Sequence, residues 1–252
     1  MQSLIGDIGN TETKICILNK KFKIIKKIRL ETSDLNKISY LRKKFSFIKN
    51  KKEFNKKALF ANVVTKKYRN LRKILKKSYG ITCIELKQTK YYDLIKIKVN
   101  KKQIGSDRIA NAIGSKYLYK NNCIILDFGT ATTFDVVKKG TYYGGVIAPG
   151  VKLSLNNLVK TANQIPFFKL KKINKVIGNN TISALRSGFY LGYSGLINNI
   201  LNLIIKETKL KYKIILTGGL ANLFKNSISS KVIIDKDITI KGLIYLLKNN
   251  KI

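Results

Sequence analysis

Cys123-Ile124-Ile125-Leu126-Asp127-Phe128-Gly129 is an apolar run that ends in Asp-x-Gly. Leu4-Ile5-Gly6-Asp7-Ile8-Gly9 has the same form near the N-terminus, and a shift of 120 positions carries Asp7 onto Asp127 and Gly9 onto Gly129. Short apolar runs that stop at glycine read as buried strands. Each copy leads into a Thr-containing turn, an alternating strand and a further strand. One copy of Asp-x-Gly is weak evidence, but matching strands on both sides predict a duplicated α/β unit. The expected halves are residues 1–115 and 116–252, with an active-site cleft between them.

The other elements follow from periodicity. Strands are expected over Ser3 to Ile8, Lys14 to Leu18, Phe22 to Leu30, Ala58 to Val64, Thr82 to Leu86 and Lys213 to Leu216. The Lys-rich stretch from Asp34 to Phe54 reads as helical, as do Lys66 to Lys77 and the tail from Ile238 to Leu247. Ile109, Ile113 and Tyr117, with Ala110, Gly114 and Leu118, give Ser106 to Lys120 one broad buried helical face. Ile182 to Ile205 is the most apolar helical segment, but Arg186, Asn198, Asn199 and Asn202 make it a core helix rather than a membrane span.

Composition excludes several chemistries. The 252 residues contain no His, which removes Ser-His-Asp catalysis and His-ligated metals. Cys16, Cys83 and Cys123 form no Cys-x-x-Cys pair and read as buried thiols of a reducing cytosol. The start Met1-Gln2-Ser3-Leu4-Ile5-Gly6-Asp7 has no signal-peptide pattern, so a cytoplasmic protein without a membrane partner is expected. Lys plus Arg is 51 against 13 acidic residues, a formal net charge of +38. Such a charge invites a nucleic-acid reading. However, Lys far outnumbers Arg and is spread along the chain, whereas phosphate and base recognition favour the Arg fork. Abundant Lys, Asn, Ile, Tyr and Phe fit AT-rich codons, so no specific nucleic-acid partner is expected.

Six stretches carry chemistry. In Asp7-Ile8-Gly9-Asn10-Thr11 a glycine lets backbone amides approach a phosphate, Asp7 can hold hydrated Mg²⁺, and Asn10 and Thr11 can donate to phosphate oxygens. An ordinary hairpin would look similar. Asp127-Phe128-Gly129-Thr130-Ala131-Thr132-Thr133 is a second hydroxyl-rich turn, and two such turns facing each other can clamp a triphosphate. Leu216-Thr217-Gly218-Gly219 permits close approach of a ring or sugar. No Gly-x-x-x-x-Gly-Lys-Ser/Thr or Gly-x-Gly-x-x-Gly run is present. In Gly105-Ser106-Asp107-Arg108, Asp107 opens a helix, either as a cap or as a group that orients a substrate hydroxyl. Gly144-Gly145-Val146-Ile147-Ala148-Pro149-Gly150 suits a shaped loop over a site. After Asn180-Thr181, Ala184, Gly188 and Gly192 form a small-residue stripe, for a tight helix pair within the chain or for a subunit interface.

Together these motifs resemble the acetate-and-sugar-kinase, heat-shock-cognate and actin superfamily, and within it the type III pantothenate kinases. The resemblance rests on Asp7 to Thr11, Gly105 to Arg108, Asp127 to Thr133, Gly144 to Gly150 and Asn180 to Gly188, in family order across nearly the whole chain. It implies an actin-like ATPase fold with ribonuclease-H-like halves, and phosphorylation of pantothenate by ATP with Mg²⁺, the first step of coenzyme A synthesis. It implies ATP binding by Asp7, Ile8, Gly9, Asn10, Thr11, Glu12, Thr13, Lys14 and Thr130. Pantothenate would contact Gly105, Ser106, Asp107, Arg108 and Thr181, with Asp107 as base. Asp127 would bind a monovalent cation, K⁺ or NH₄⁺, and the family is homodimeric, with the Thr181 region completing the partner's site. Lys98 and Lys101 stand where the family usually has Tyr and Pro, which weakens the expected packing around pantothenate. Two rival readings remain at this level: a non-catalytic relative acting as a transcription accessory factor or nucleic-acid binder, and a kinase of another small metabolite.

Overall fold

The computed structural model describes residues 1–48, 51–162 and 165–249. Two compact units are present, Met1–Lys120 with Asp237–Ile252, and Asn121–Lys236. The sequence expectation divided the chain once, after residue 115. The chain instead passes to the second unit after Lys120 and returns to the first at Asp237.

The first unit opens with the meander β1 (Ser3–Ile8), β2 (Glu12–Leu18) and β3 (Ile24–Glu31). After α1 (Ile38–Lys44) come β4 (Lys57–Asn62), α2 (Thr65–Tyr79), β5 (Thr82–Glu85), the short β6 (Lys96–Ile97) and α3 (Ser106–Tyr119). The sheet order is β3-β2-β1-β4-β5, antiparallel on the meander side of β1 and parallel from β1 through β4 to β5. The central strand β1 is buried on both faces, which is why Leu4, Ile5 and Ile8 form a continuous rather than alternating apolar run. Helix α2 turns Tyr68, Leu71, Ile74 and Leu75 inward and stops at Gly80, whose φ of +71° is open to glycine.

The helix expected over residues 34–54 is confined to α1, flanked by 3₁₀ turns at Thr32–Asn36 and Lys51–Glu53. Residues 49 and 50 of that stretch lie outside the described residues. The buried Leu35, Leu41, Phe45, Ile48 and Phe54 are too irregularly spaced to share one helical face, so the chain bends to bury them all.

The second unit contains β7 (Cys123–Phe128), β8 (Ala131–Lys138), β9 (Thr141–Pro149), α4 (Val151–Thr161), α5 (Thr181–Thr208), β10 (Lys213–Gly218), α6 (Ala221–Phe224) and β11 (Val232–Ile234). Within it the strands run β11-β10-β7-β8-β9, with antiparallel β7–β8–β9 and parallel β7–β10–β11. Strand for strand, this is the order and polarity of the first unit. Asp7 pairs with Ala61 on the parallel side of its strand, and Asp127 with Thr217. Ile8 faces Thr13 and Phe128 faces Thr132, so the second hairpin is one residue tighter and the 120-position shift becomes 119 beyond the turn.

Gly144 to Gly150, expected as a loop, lies mostly in strand β9. The register of β8 and β9 shifts at Val136/Val137, where Gly144 adopts a φ of +120°. The glycines there serve a bulge that bends the strand. Thr217 and Gly218 likewise extend β10 two residues beyond the strand expected to end at Leu216.

The final helix, α7 (Ile238–Lys248), packs on α3 and β1 of the first unit. A side chain on Gly242 would overlap the carbonyl oxygen of Ala110, and one on Gly114 would lie 2.6 Å from that of Ile238. The buried Thr239 hydroxyl donates to Asn111 Oδ1 at 2.7 Å, and the rings of Tyr117 and Tyr245 stack at 3.7 Å. Among the described residues, no helix is long and apolar enough to cross a membrane.

Candidate active site

In the first unit, candidate groups gather at the carboxyl ends of β1 and β4, the end where open α/β sheets bind ligands. The turn after β1 closes through Gly9 N–H to the Glu12 carbonyl at 3.1 Å and leaves Asn10 and Thr11 exposed. Thr32 braces it: its hydroxyl donates to the Gly9 carbonyl at 2.7 Å and lies 2.9 Å from the buried Thr13 hydroxyl, and its N–H donates to the Thr11 carbonyl at 2.7 Å. Sequence reasoning missed Thr32, because a position on the far side of β3 gives no local signal. Glu12 is exposed and lies 3.8 Å from Arg29 and 3.9 Å from Lys14.

Val63 connects this turn to the start of α3. Its N–H donates to the Ile8 carbonyl at 3.1 Å, and its Cγ1 lies 3.4 Å from where a Cβ on Gly105 would stand. Gly105 is the extended N-cap residue of α3, and Ser106, Asp107 and Arg108 form the first turn. Asp107 Oδ1 accepts from the Arg108 N–H at 2.8 Å. Burial pushes the Asp107 carboxyl above its usual range, against the lowering effect of that hydrogen bond and the Arg108 charge. A carboxylate of raised basicity at a helix start can accept a proton from a hydroxyl. Ser106 is buried, and its hydroxyl donates to Glu85 Oε1.

In the second unit, the equivalent turn closes through Gly129 N–H to the Ala131 carbonyl at 3.1 Å, leaving Thr130 exposed. Gly150 must lack a side chain, because a Cβ there would overlap the Thr130 carbonyl. Beside Asp127, a Cβ on Gly218 would lie 2.6 Å from Oδ1 and 2.6 Å from the Phe128 carbonyl oxygen, and Gly218 holds a φ of +82°. The carboxylate and carbonyl oxygens both lie close against Gly218, hard oxygens of the kind an alkali-metal cation takes. Among the described residues, no three His, Cys, Asp or Glu side chains converge as a metal cage.

Asn180 caps α5: its Oδ1 accepts from Ser183 N–H at 2.9 Å, and Ser183 Oγ accepts from Asn180 N–H at 3.1 Å. Thr181 lines an open apolar groove of about 690 Å³ with Ser154, Ala184, Leu185, Gly188, Phe189 and Tyr193. A Cβ on Gly188, Gly192 or Gly195 would meet nothing within 4 Å, so this stripe is not buried against a helix of the same unit.

The thiols of Cys16 and Cys123 are pushed up by burial to about 11, and that of Cys83 to about 12, so all three stay protonated and inert.

The family model for type III pantothenate kinase matches residues 3–203. A Type III pantothenate kinase of Pelagibacter ubique is 60% identical over 241 residues, covering 96% of each chain. Among solved structures, a protein from Campylobacter jejuni described as a Baf family transcriptional activator is similar with a TM-score of 0.62, at 22% identity over 98% of both chains. The activator of 2-hydroxyisocaproyl-CoA dehydratase from Clostridium difficile, solved with ADPNP bound, matches with a TM-score of 0.55 at 12% identity, over all of this chain and 96% of that one. These structural likenesses, with the twice-repeated strand order, give the chain the actin-like ATPase fold. The family match takes in both Asp-x-Gly turns, the Gly105–Arg108 segment and Thr181, and the chain belongs to the type III pantothenate kinase family.

Proposed function

We propose that this chain transfers the γ-phosphoryl group of ATP to the primary hydroxyl of pantothenate, giving 4′-phosphopantothenate and ADP, the first step of coenzyme A synthesis. The observation that carries the reading is Asp107: a carboxylate made more basic by burial, at the first turn of α3, within an intact Gly105–Arg108 segment of a pantothenate kinase family chain. As the hydroxyl oxygen bonds to the γ-phosphorus, its proton passes to Asp107 and the bond to the ADP oxygen breaks. Arg108 steadies an anionic group of the acceptor.

Residues Asp7 to Lys14 and Thr130 bind ATP in this reading. The braced Gly9–Thr11 turn and the exposed Thr130 turn supply amides and hydroxyls to the phosphates. Asp7 would hold the Mg²⁺ that accompanies the nucleotide, which would supply charge stabilisation to the phosphate oxygens. Asp127 would hold K⁺ or NH₄⁺, which would offset phosphate charge; the Phe128 carbonyl oxygen, packed with the Asp127 carboxylate against Gly218, supports that assignment.

Gly105, Arg108 and Thr181 hold pantothenate; Ser106, expected from the sequence to join them, is buried with its hydroxyl on Glu85 and supports that turn from behind. The enzyme acts as a homodimer in the cytoplasm. The apolar groove along α4 and α5 and the open glycines of α5 support a subunit contact there, and the free, buried thiols fit a reducing compartment.

The test is product identity. Purified protein with ATP, Mg²⁺, K⁺ and pantothenate should give 4′-phosphopantothenate by mass spectrometry, with a strong loss of rate when Na⁺ replaces K⁺. Phosphorylation of a different small alcohol in preference to pantothenate would move the assignment to that acceptor.

A further inference from the structure

The reaction proposed above makes no use of Glu85, a partly buried carboxylate at the end of β5. Its Oε2 accepts from the Lys87 N–H at 2.8 Å, and its own N–H donates to Gln88 Oε1 at 3.0 Å, a reciprocal cap on the turn Leu86–Gln88. That cap needs only one carboxylate oxygen. The other, Oε1, accepts from Ser106 Oγ, 21 residues further along the chain. Ser106 is 1% exposed and immediately precedes Asp107.

A buried carboxylate is unfavourable unless both its oxygens are satisfied. Here the second oxygen goes to the helix that carries the base. The first amides of a helix have no intrahelical acceptors, so its first turn is the part most prone to fray. The Asp107 carboxylate sits in that turn and accepts from Arg108 N–H within it. An anchor on Ser106 therefore acts one residue from the group whose placement matters.

We infer that Glu85 is a positioning residue for Asp107, fixing the first turn of α3 to the end of β5 through Ser106. The inference rests on the reading of Asp107 as base. Glu85 touches no reacting atom, so its removal acts on the placement of the base rather than on nucleotide affinity.

The test uses the full-length variants Glu85→Ala, Glu85→Gln, Ser106→Ala and the double variant Glu85→Ala/Ser106→Ala. Either single Ala change should lower kcat about tenfold or more, because small misplacements of reacting groups are costly, with the KM for ATP within about twofold. The double variant should be no slower than the worse single one, since both remove the same hydrogen bond. Glu85→Gln keeps one oxygen that can accept from Ser106 Oγ but turns its NH₂ toward the Lys87 N–H, so its rate should lie between those of Glu85→Ala and the wild type. Hydrogen exchange at the Arg108 amide should be faster in both single Ala variants. Wild-type kcat in either folded Ala variant, or losses that multiply in the double variant, would overturn the inference. If the wild-type protein does not phosphorylate pantothenate, the kinase reading fails by itself. Arg108 exchange then decides the anchoring: faster exchange in Ser106→Ala upholds it, and unchanged exchange overturns it.

Discussion

Gly105 lies so close to Asp107 that a Cβ at position 105 would overlap the Asp107 Oδ1. The glycine's φ is negative, so backbone freedom is not the reason for it. Its bare α-carbon is what lets the carboxylate fold back over the helix start. Gly105→Ala should displace Asp107 and lower kcat by about 100-fold, the low end of what a positioned base contributes. Steady-state kinetics should show this with a melting temperature close to wild type. An unimpaired Gly105→Ala enzyme would mean that the carboxylate works from another position.

Asp107→Asn should abolish turnover and leave the fold intact. The pH dependence of stability gives a second readout. The native carboxyl of Asp107 titrates above the unfolded value of about 3.9. Between those two pKa values the native state holds more protons than the unfolded state, so the stability of the wild type falls as pH rises through that window. Asp107→Asn lacks this titration. Its stability relative to wild type should therefore climb from about pH 4 and level off above the native pKa. Thermal unfolding across the acid range checks the sign, and the acid limb of wild-type kcat/KM should also lie above the ordinary Asp range.

Helix α7 should be intolerant of even one added methyl group at Gly242. A Cβ there would meet the Ala110 carbonyl, which is backbone and cannot rotate away. Gly242→Ala should destabilise the protein by about 1–3 kcal/mol, measured by urea unfolding. Removal of α7 should expose the α3 surface that it covers.

The open stripe on α5 gives the opposite expectation. A Cβ at Gly188 meets nothing within 4 Å and the position is exposed, so Gly188→Arg should fold with wild-type thermal stability per protomer. On the proposed homodimer it should sediment as a monomer, against a dimer for the wild type. A dimeric Gly188→Arg variant would place the subunit contact elsewhere.

Gly218→Ala combines a positive φ with overlap on Asp127 and Phe128. It should lower activity and raise the K⁺ concentration needed for half-maximal rate, as read from a K⁺ titration at fixed ionic strength.

Much of this architecture was legible in the residues. The repeated Asp-x-Gly runs mark β1 and β7, and four-residue spacing marks α3, because buried strands and amphipathic helices write their period directly into the sequence. The structure departs from the helix expected over residues 34–54 and from the loop expected over Gly144 to Gly150 for one reason. Lysine stems and glycines are tolerated in several conformations, and tertiary packing chose the turns of the first and the bulged strand of the second. The return of α7 to the first unit, the Thr32 brace and the Glu85–Ser106 link depend on contacts between distant positions, for which a single sequence has no local signal. Of the site, the short motifs were readable. What could not be read was which glycines serve the backbone and which, like Gly105 and Gly218, make room for a carboxylate.

The most direct test of the central claim is ADP release from ATP by the purified protein in Mg²⁺ and K⁺, with and without pantothenate, for wild type and Asp107→Asn. Phosphoryl transfer to pantothenate through Asp107 predicts release that depends on pantothenate in the wild type and is absent in a folded Asp107→Asn variant. Release indifferent to pantothenate, or equal in the two proteins, would contradict it.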